Sequence, residues 1–242
     1  MKIGIAQIQP VAGDINNNIK RHVELINCAI NKGVQLVYFP ELSITDYEPS
    51  LAKTLVASDF KSQFEVFQGL SDNNDIVIGV GAPLPTHLGI QIAMHWFQKA
   101  KPQQTYAKQM LHQDELPYFV PGDKQLILEV AGKKIAPAIC YESLQTEHAQ
   151  SAFELSADIY LASVAKSSTG ISKAMQHFPT IAKHYKKLVV LANCIGHCDD
   201  FLSTGNSSAW GPDGELLAQL DRDNEGLLIV DTNNYHSDII NL

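Results

Sequence analysis

The stretch Lys133–Ser143, KKIAPAICYES, reads as a buried strand that stops at a thiol and turns into a helix. The apolar run through Ile135 and Ile139 is short and strand-like. Ala131-Gly132 marks a turn that joins it to the preceding run Gln125–Val130 as a hairpin. Past Cys140 the spacing becomes helical over about Ser143–Ser156, which predicts the thiol at a strand-to-helix turn. A nucleophile there is exposed, and backbone N–H groups of the turn face the same space, so the N–H of Tyr141 is a candidate oxyanion donor. The helix N-terminus further predicts a thiol more acidic than that of a free cysteine.

The same arrangement, an apolar run ending in a reactive polar residue, occurs twice more. Glu41 follows LVYFP at 36–40, and Lys108 closes QTYAK at 104–108. A carboxylate, an ammonium and a thiol together suit amide cleavage, which needs a nucleophile, a proton carrier and a charge to steady the tetrahedral oxyanion. Singly, each has a plainer reading: Glu41 as a helix cap, Lys108 as a solvated charge, Cys140 as a small buried hydrophobe.

Periodicity fills in the rest. KIGIAQI at 2–8 alternates as a strand, and Asp14 stands as the N-cap before Ile15, Ile19, Val23, Ile26 and Ile30 at helical spacing. Helical patterns are predicted over roughly Ser50–Leu70. Runs at 76–84, 90–98 and 103–108, separated by turn signals, read as a meander. Strand-like runs at 158–164, 188–193, 207–211, 215–220 and 226–231 accompany one helix near Ser172–Lys186. The alternation is that of a layered α/β protein with mixed sheets and no internal repeat.

Three blocks, FPELSITDY at 39–47, YAKQMLHQDELPYFVPGD at 106–123 and AICYES at 138–143, resemble in that order the signature blocks of the nitrilase (carbon-nitrogen hydrolase) superfamily. The likeness continues in AMQHFPTIAKHYKKLVVLANCIG at 174–196 and TGNSSAWGPDGELLAQL at 204–220. It implies a four-layer α-β-β-α sandwich with two sheets packed face to face. It also implies Cys140 as nucleophile, Glu41 as general base and Lys108 as oxyanion stabiliser. Glu115 matches a further acid that would orient Lys108 or the hydrolytic water, its alternative being an exposed acidic loop with Asp114. Glu142 matches the acid after Cys-Tyr and is expected to cap the helix or fix the turn.

With 242 residues, 45% apolar and 18% charged, the chain is expected to fold throughout as one domain, residues 1–242. A formal net charge of −8 argues against nucleic acid and against anionic membranes. No apolar stretch is long enough to span a bilayer, and MKIGIAQIQP does not read as a secretory signal, so a cytoplasmic protein is expected. Four cysteines are too few for a disulfide scaffold. Cys28 falls in the first helix as core. Cys194 and Cys198, with His197 between them, raise a zinc site, which the lack of a second ligand pair discounts. No metal or organic cofactor is called for.

Three departures from the family pattern stand out. Asp46-Tyr47 replaces the usual Gly-Tyr and would put a carboxylate near the pocket mouth. SVAKSSTG at 163–170 puts small hydroxyl residues where many relatives carry an aromatic pocket loop. The chain ends soon after GLLIVD, without the tail many relatives use in dimer contacts, so a homodimer is a family expectation only. The reaction read from this is hydrolysis of a small amide or carbamoyl compound through a cysteine thioester. N-acyl transfer from the same thioester and a non-catalytic binding protein that keeps the fold are the alternatives, and nothing selects for nitriles.

Overall fold

A computed structural model describes residues 1–56 and 60–241. Among these, two large mixed sheets carry the fold. The first runs in the spatial order Ser237–Asn241, Gly226–Asp231, Lys2–Gln7, Leu36–Tyr38, Val77–Thr86, Gly89–Phe97 and Gln104–Ala107. The second runs Leu216–Gln219, Ser208–Trp210, Leu188–Asn193, Ile159–Val164, Lys133–Ile139 and Leu128–Val130. The strands that precede Glu41 and Cys140 are each flanked by a parallel neighbour, so their C-terminal ends lie level with other strand ends. Such ends are where α/β sheets put their sites.

Period-two alternation assembles the layers. On Lys2–Gln7, Ile3 and Ile5 face the second sheet while Ala6 faces the helix layer; on Ile159–Val164, Ile159 and Leu161 face the first sheet while Tyr160, Ala162 and Val164 face outward. One core therefore fills the space between the sheets, including Tyr38, Trp96, Tyr106, Leu161 and Val190. A second lies beneath the helices Ile15–Asn31 and Glu65–Asn74, and a third beneath Thr146–Glu154 and Ser168–Tyr185. The result is the four-layer α-β-β-α sandwich expected from the sequence.

Local chemistry explains several element ends. Asp14 accepts the N–H of Asn17 and caps Ile15–Asn31 as read. The hairpin before Cys140 turns on Ala131 and Gly132, both at positive φ, the conformation a two-residue hairpin turn demands. The helix expected over Ser143–Ser156 divides into a 3-10 segment, Cys140–Leu144, and an α-helix, Thr146–Glu154. The second-half helix starts earlier than read, at Ser168, because Ser167 caps it. Of the helical span read over Ser50–Leu70, residues 57–59 lie outside the described residues; the remainder forms the short pieces Pro49–Leu51, Ala52–Leu55 and Phe60–Gln63 and the start of Glu65–Asn74. The hairpin Ile195–Cys198 with Phe201–Thr204 and the edge strand Ser237–Asn241 were not anticipated. Their short polar runs lack a clean alternation.

Candidate active site

Glu41, Lys108 and Cys140 converge. Glu41 leaves the Leu36–Tyr38 strand through Phe39-Pro40, and Ser163 of the facing sheet donates to the Phe39 carbonyl at 2.9 Å, pinning the two sheets together beside it. Lys108 follows Gln104–Ala107 directly. Its own N–H donates to the Ile92 carbonyl at 2.9 Å, and its carbonyl accepts from Gly122 N–H at 2.7 Å. Glu41 is 1% exposed and Lys108 fully buried. The ammonium donates to Glu41 Oε1 at 2.8 Å and to Glu115 Oε1 at 2.5 Å.

Glu115 is thus a member of the cluster and not an exposed loop acid. It also accepts from the Tyr47 hydroxyl at 2.9 Å and from His112 N–H at 2.8 Å. Lys108 would lose its charge to burial alone, but the carboxylates of Glu41 and Glu115 and the Cys140 sulfur hold its pKa above the usual lysine range. Glu41 is pushed up by burial, with Lys108 opposing. Its Oε2 is buried with no hydrogen-bond partner. A raised carboxylate with a free oxygen is a proton acceptor that has not been spent on structure.

Cys140 occupies a positive φ of 47°, a conformation rare for a side-chain-bearing residue and held here by the surrounding bonds. Ser143 Oγ donates to its carbonyl at 2.6 Å. Tyr141 is the second residue of the Cys140–Leu144 segment, where the turn itself has no acceptor for its N–H. The thiol is not the acidic one expected. Burial, then the charge of Glu41, push it up to about 11, against the smaller pull of Lys166 and Lys108. The helix-dipole argument fails because the turn after Cys140 is a 3-10 segment and a buried carboxylate stands nearby.

Lys166 is the residue that sequence reasoning missed. It lies in the loop after Ile159–Val164, its Nζ 3.6 Å from Cys140 Sγ and 3.5 Å from the Cys140 carbonyl oxygen. The Asn193 side chain fixes its backbone, accepting from Lys166 N–H at 2.8 Å and donating to the Lys166 carbonyl at 3.1 Å. The available signal was again a polar residue just past an apolar strand, masked by the hydroxyl residues around it. Asp46 requires a correction: it does not line the pocket mouth but is buried against Cys198 Sγ at 3.6 Å, where burial pushes its carboxyl up to about 6. Cys198 in turn lies 3.4 Å from Cys194, which Ser203 contacts, while His197 is exposed.

A cavity of about 510 Å³ opens onto the cluster. Tyr47, Glu115, Cys140, Ala165, Lys166 and Phe201 are among its lining residues. The sequence matches the carbon-nitrogen hydrolase family model over residues 2–236. The chain belongs to the carbon-nitrogen hydrolase family. This carbon-nitrogen hydrolase, an enzyme by that membership, is similar to the amidase of Nesterenkonia sp. AN1. A variant of that amidase with butyramide bound is 24% identical, with a TM-score of 0.88 over 96% of this chain and 90% of that one. Another, with the acetamide moiety of fluoroacetamide added covalently at its active-site cysteine, matches at 24% identity and TM-score 0.88 over 96% and 89%. At that identity the likeness speaks for the fold. Among curated proteins, the hydrolase is 29% identical to the glutamine-dependent NAD(+) synthetase of Acinetobacter baylyi over 90% of this chain and 41% of that one. It is 23% identical to the enzyme of the same name from Aquifex aeolicus over 95% and 42%. The chain spans about two fifths of the length of these curated relatives. Among the described residues, no helix is long and apolar enough to cross a membrane.

Proposed function

We propose that this single hydrolase domain cleaves the C–N bond of a small linear amide through a thioester on Cys140. One observation carries the reading: Glu41, Lys108 and Cys140, far apart in sequence, follow three strands into one cluster, with the ammonium bonded to the Glu41 carboxylate at 2.8 Å and to Glu115, and with Cys140 and Glu115 lining the cavity. Glu41 takes the thiol proton as sulfur attacks the carbonyl carbon, then passes it to the departing amine. The raised pKa of the thiol keeps it neutral at rest, while the raised pKa of Glu41 makes it a stronger base, so the proton moves to Glu41 as the C–S bond forms. Lys108 and the Tyr141 N–H stabilise the developing oxyanion. Glu115 and Tyr47 hold Lys108 in place. Water, deprotonated by Glu41, then attacks the thioester, and as the C–S bond breaks Glu41 returns that proton to the Cys140 sulfur and the acid leaves.

The neighbouring amidase, with its butyramide and its modified cysteine, supports a simple aliphatic amide. The curated relatives are glutamine-dependent, and glutamine ends in a primary carboxamide, so it belongs in any substrate panel. The test is intact-mass measurement after incubation with aliphatic amides, glutamine and carbamoyl compounds, alongside ammonia release. An acyl adduct confined to Cys140, absent in Cys140→Ala, is expected. Ammonia release that persists in Cys140→Ala would remove the proposal.

A further inference from the structure

Lys166 is a buried cation with no part in the steps assigned to Glu41, Lys108 and Tyr141. It is 7% exposed, and among the described residues it stands in no ion pair; its ammonium meets only the sulfur and the carbonyl oxygen of Cys140, at 3.6 and 3.5 Å. Lys108 differs, since Glu41 and Glu115 share its charge. A buried ammonium without a counter-ion is costly, so its retention beside the nucleophile calls for a negative charge that forms there. The sulfur supplies that charge when it gives up its proton.

The surrounding bonds hold the lysine in place. Its carbonyl accepts from Asn193 Nδ2 at 3.1 Å, Ser203 Oγ at 3.0 Å and Thr204 N–H at 3.3 Å, and Asn193 Oδ1 accepts its N–H at 2.8 Å. The stem runs past Gly170, where an added Cβ would lie 3.1 Å from Lys166 Cβ and 3.3 Å from Cγ. One residue earlier, the Ala165 carbonyl oxygen accepts from Cys140 Sγ at 3.6 Å. Ala165 and Lys166 thus serve both states of one sulfur: the carbonyl accepts from the thiol, and the ammonium donates to the thiolate. Of the charged groups that act on this sulfur, Glu41 and Glu115 push its pKa up, and Lys166 pulls it down more than Lys108 does.

Resting on the amidase reading, we infer that Lys166 is a catalytic residue whose ammonium stabilises negative charge on the Cys140 sulfur, while Lys108 serves the oxyanion. In the attack, the S–H bond breaks toward Glu41 and a sulfur electron pair forms the C–S bond; Lys166 steadies the sulfur as its proton leaves. In deacylation the C–S electron pair returns to sulfur, and Lys166 steadies it until Glu41 gives back the proton. Lys166 itself neither gives nor takes a proton.

The neutral reagent iodoacetamide reads the sulfur directly, with peptide mass mapping to locate the label. Lys166→Met removes the charge from a side chain of similar length. At about pH 8, Cys140 alkylation should fall by about threefold or more, its pH profile should move up, and Cys28 should react as in wild type. With butyramide as substrate, kcat should fall by about tenfold or more and KM should change less. Lys166→Arg should restore most of both rates, and Lys166→Gln should behave as Lys166→Met does; thermal melting confirms that each variant is folded. Alkylation unchanged in the folded Met and Gln variants would overturn the inference, as would slower alkylation with kcat unchanged. Failure of the wild type to turn over butyramide or any other amide, with no acyl adduct on Cys140, would count against the amidase reading instead, and the alkylation rates would still decide whether Lys166 acts on the sulfur.

Discussion

Glu142 accepts the backbone N–H of Gln109, the residue after Lys108, at 2.6 Å. The same carboxylate accepts Met110 N–H at 3.1 Å, Ile139 N–H at 2.7 Å and the Tyr106 hydroxyl at 2.7 Å. It therefore ties the loop that carries Lys108 to the strand end that carries Cys140, and its role is to fix the turn. Tyr106 passes the constraint on to His148, 2.7 Å away, and His148 to Tyr160, also at 2.7 Å.

Glu142→Gln should be destabilising and slow. An amide can accept at its oxygen only, so at least one buried backbone N–H loses its partner, a loss of about 1–3 kcal/mol. The two strand ends would no longer be held in register, and a misplacement of about 1 Å is worth on the order of 100-fold in rate. Urea denaturation and kcat measured on the same sample check both. A variant as stable and as fast as wild type would show that the other bonds of the turn suffice.

The thiol of Cys140 offers a test that separates a proton acceptor from a merely structural acid. Its pKa is pushed up to about 11, first by burial and next by the negative charge of Glu41. Glu41→Gln deletes that charge, so the midpoint of thiolate absorbance should move down, even as turnover falls by about 100-fold or more for want of the base. The thiol thus becomes more acidic while the enzyme becomes slower. A midpoint that stays in place would mean that Glu41 does not act on the thiol.

The sequence made the strand ends legible because three short apolar runs were each followed by a residue type that amide cleavage uses. Glu41, Lys108 and Cys140 were placed that way, and resemblance added Glu115. Lys166 escaped because a lysine after a strand is ordinarily a solvated surface group, and its burial comes from tertiary contacts, with Gly170 of the helix Ser168–Tyr185 close to its stem and Cys140 beside its ammonium. The acidity of Cys140 was misjudged for a related reason. Desolvation depends on what lies above the turn, and no local pattern reports that. Asp46 was misplaced because its positive φ of 67° turns the chain inward at a non-glycine residue.

His22 joins the first helix layer to the loop of Glu41, with Nδ1 2.7 Å from the Asn18 carbonyl oxygen and Nε2 2.9 Å from Ser43 Oγ. Burial lowers its pKa to about 4 from an ordinary 6.5, so the folded protein keeps the ring neutral where the unfolded chain protonates it. The folded pKa is the depressed one and the group is a base. The unfolded state thus binds more protons between about pH 6.5 and 4, and stability is lost as pH falls through that window. The difference amounts to about 3 kcal/mol at its limit. His22→Gln should remove this component: the gap in urea midpoint between wild type and variant should narrow or reverse from pH 7 to pH 4. A gap that is constant with pH would show that His22 does not titrate on unfolding as its burial requires.

Gly81 sets the position of Glu41 from beneath. A Cβ at Gly81 would lie 2.5 Å from both the Pro40 carbonyl oxygen and the Leu42 nitrogen, and 3.0 Å from the Glu41 carbonyl carbon. These are backbone atoms and cannot swing aside, and the Gly81 carbonyl also accepts Ile44 N–H at 3.0 Å. Gly81→Ala should therefore push the Pro40–Leu42 segment toward the cavity, with about 1–3 kcal/mol lost to overpacking. The carboxylate would move off Lys108 and Cys140, and kcat should fall by about 10- to 100-fold. Gly69→Ala is the matched control: within a helix and with no atom within 4 Å of the added methyl, it should be neutral or stabilising by up to about 1 kcal/mol and leave kcat alone. A folded Gly81→Ala protein that turns over at the wild-type rate would sink the claim that strand-to-loop contact, and not the Lys108 ion pair alone, places the base.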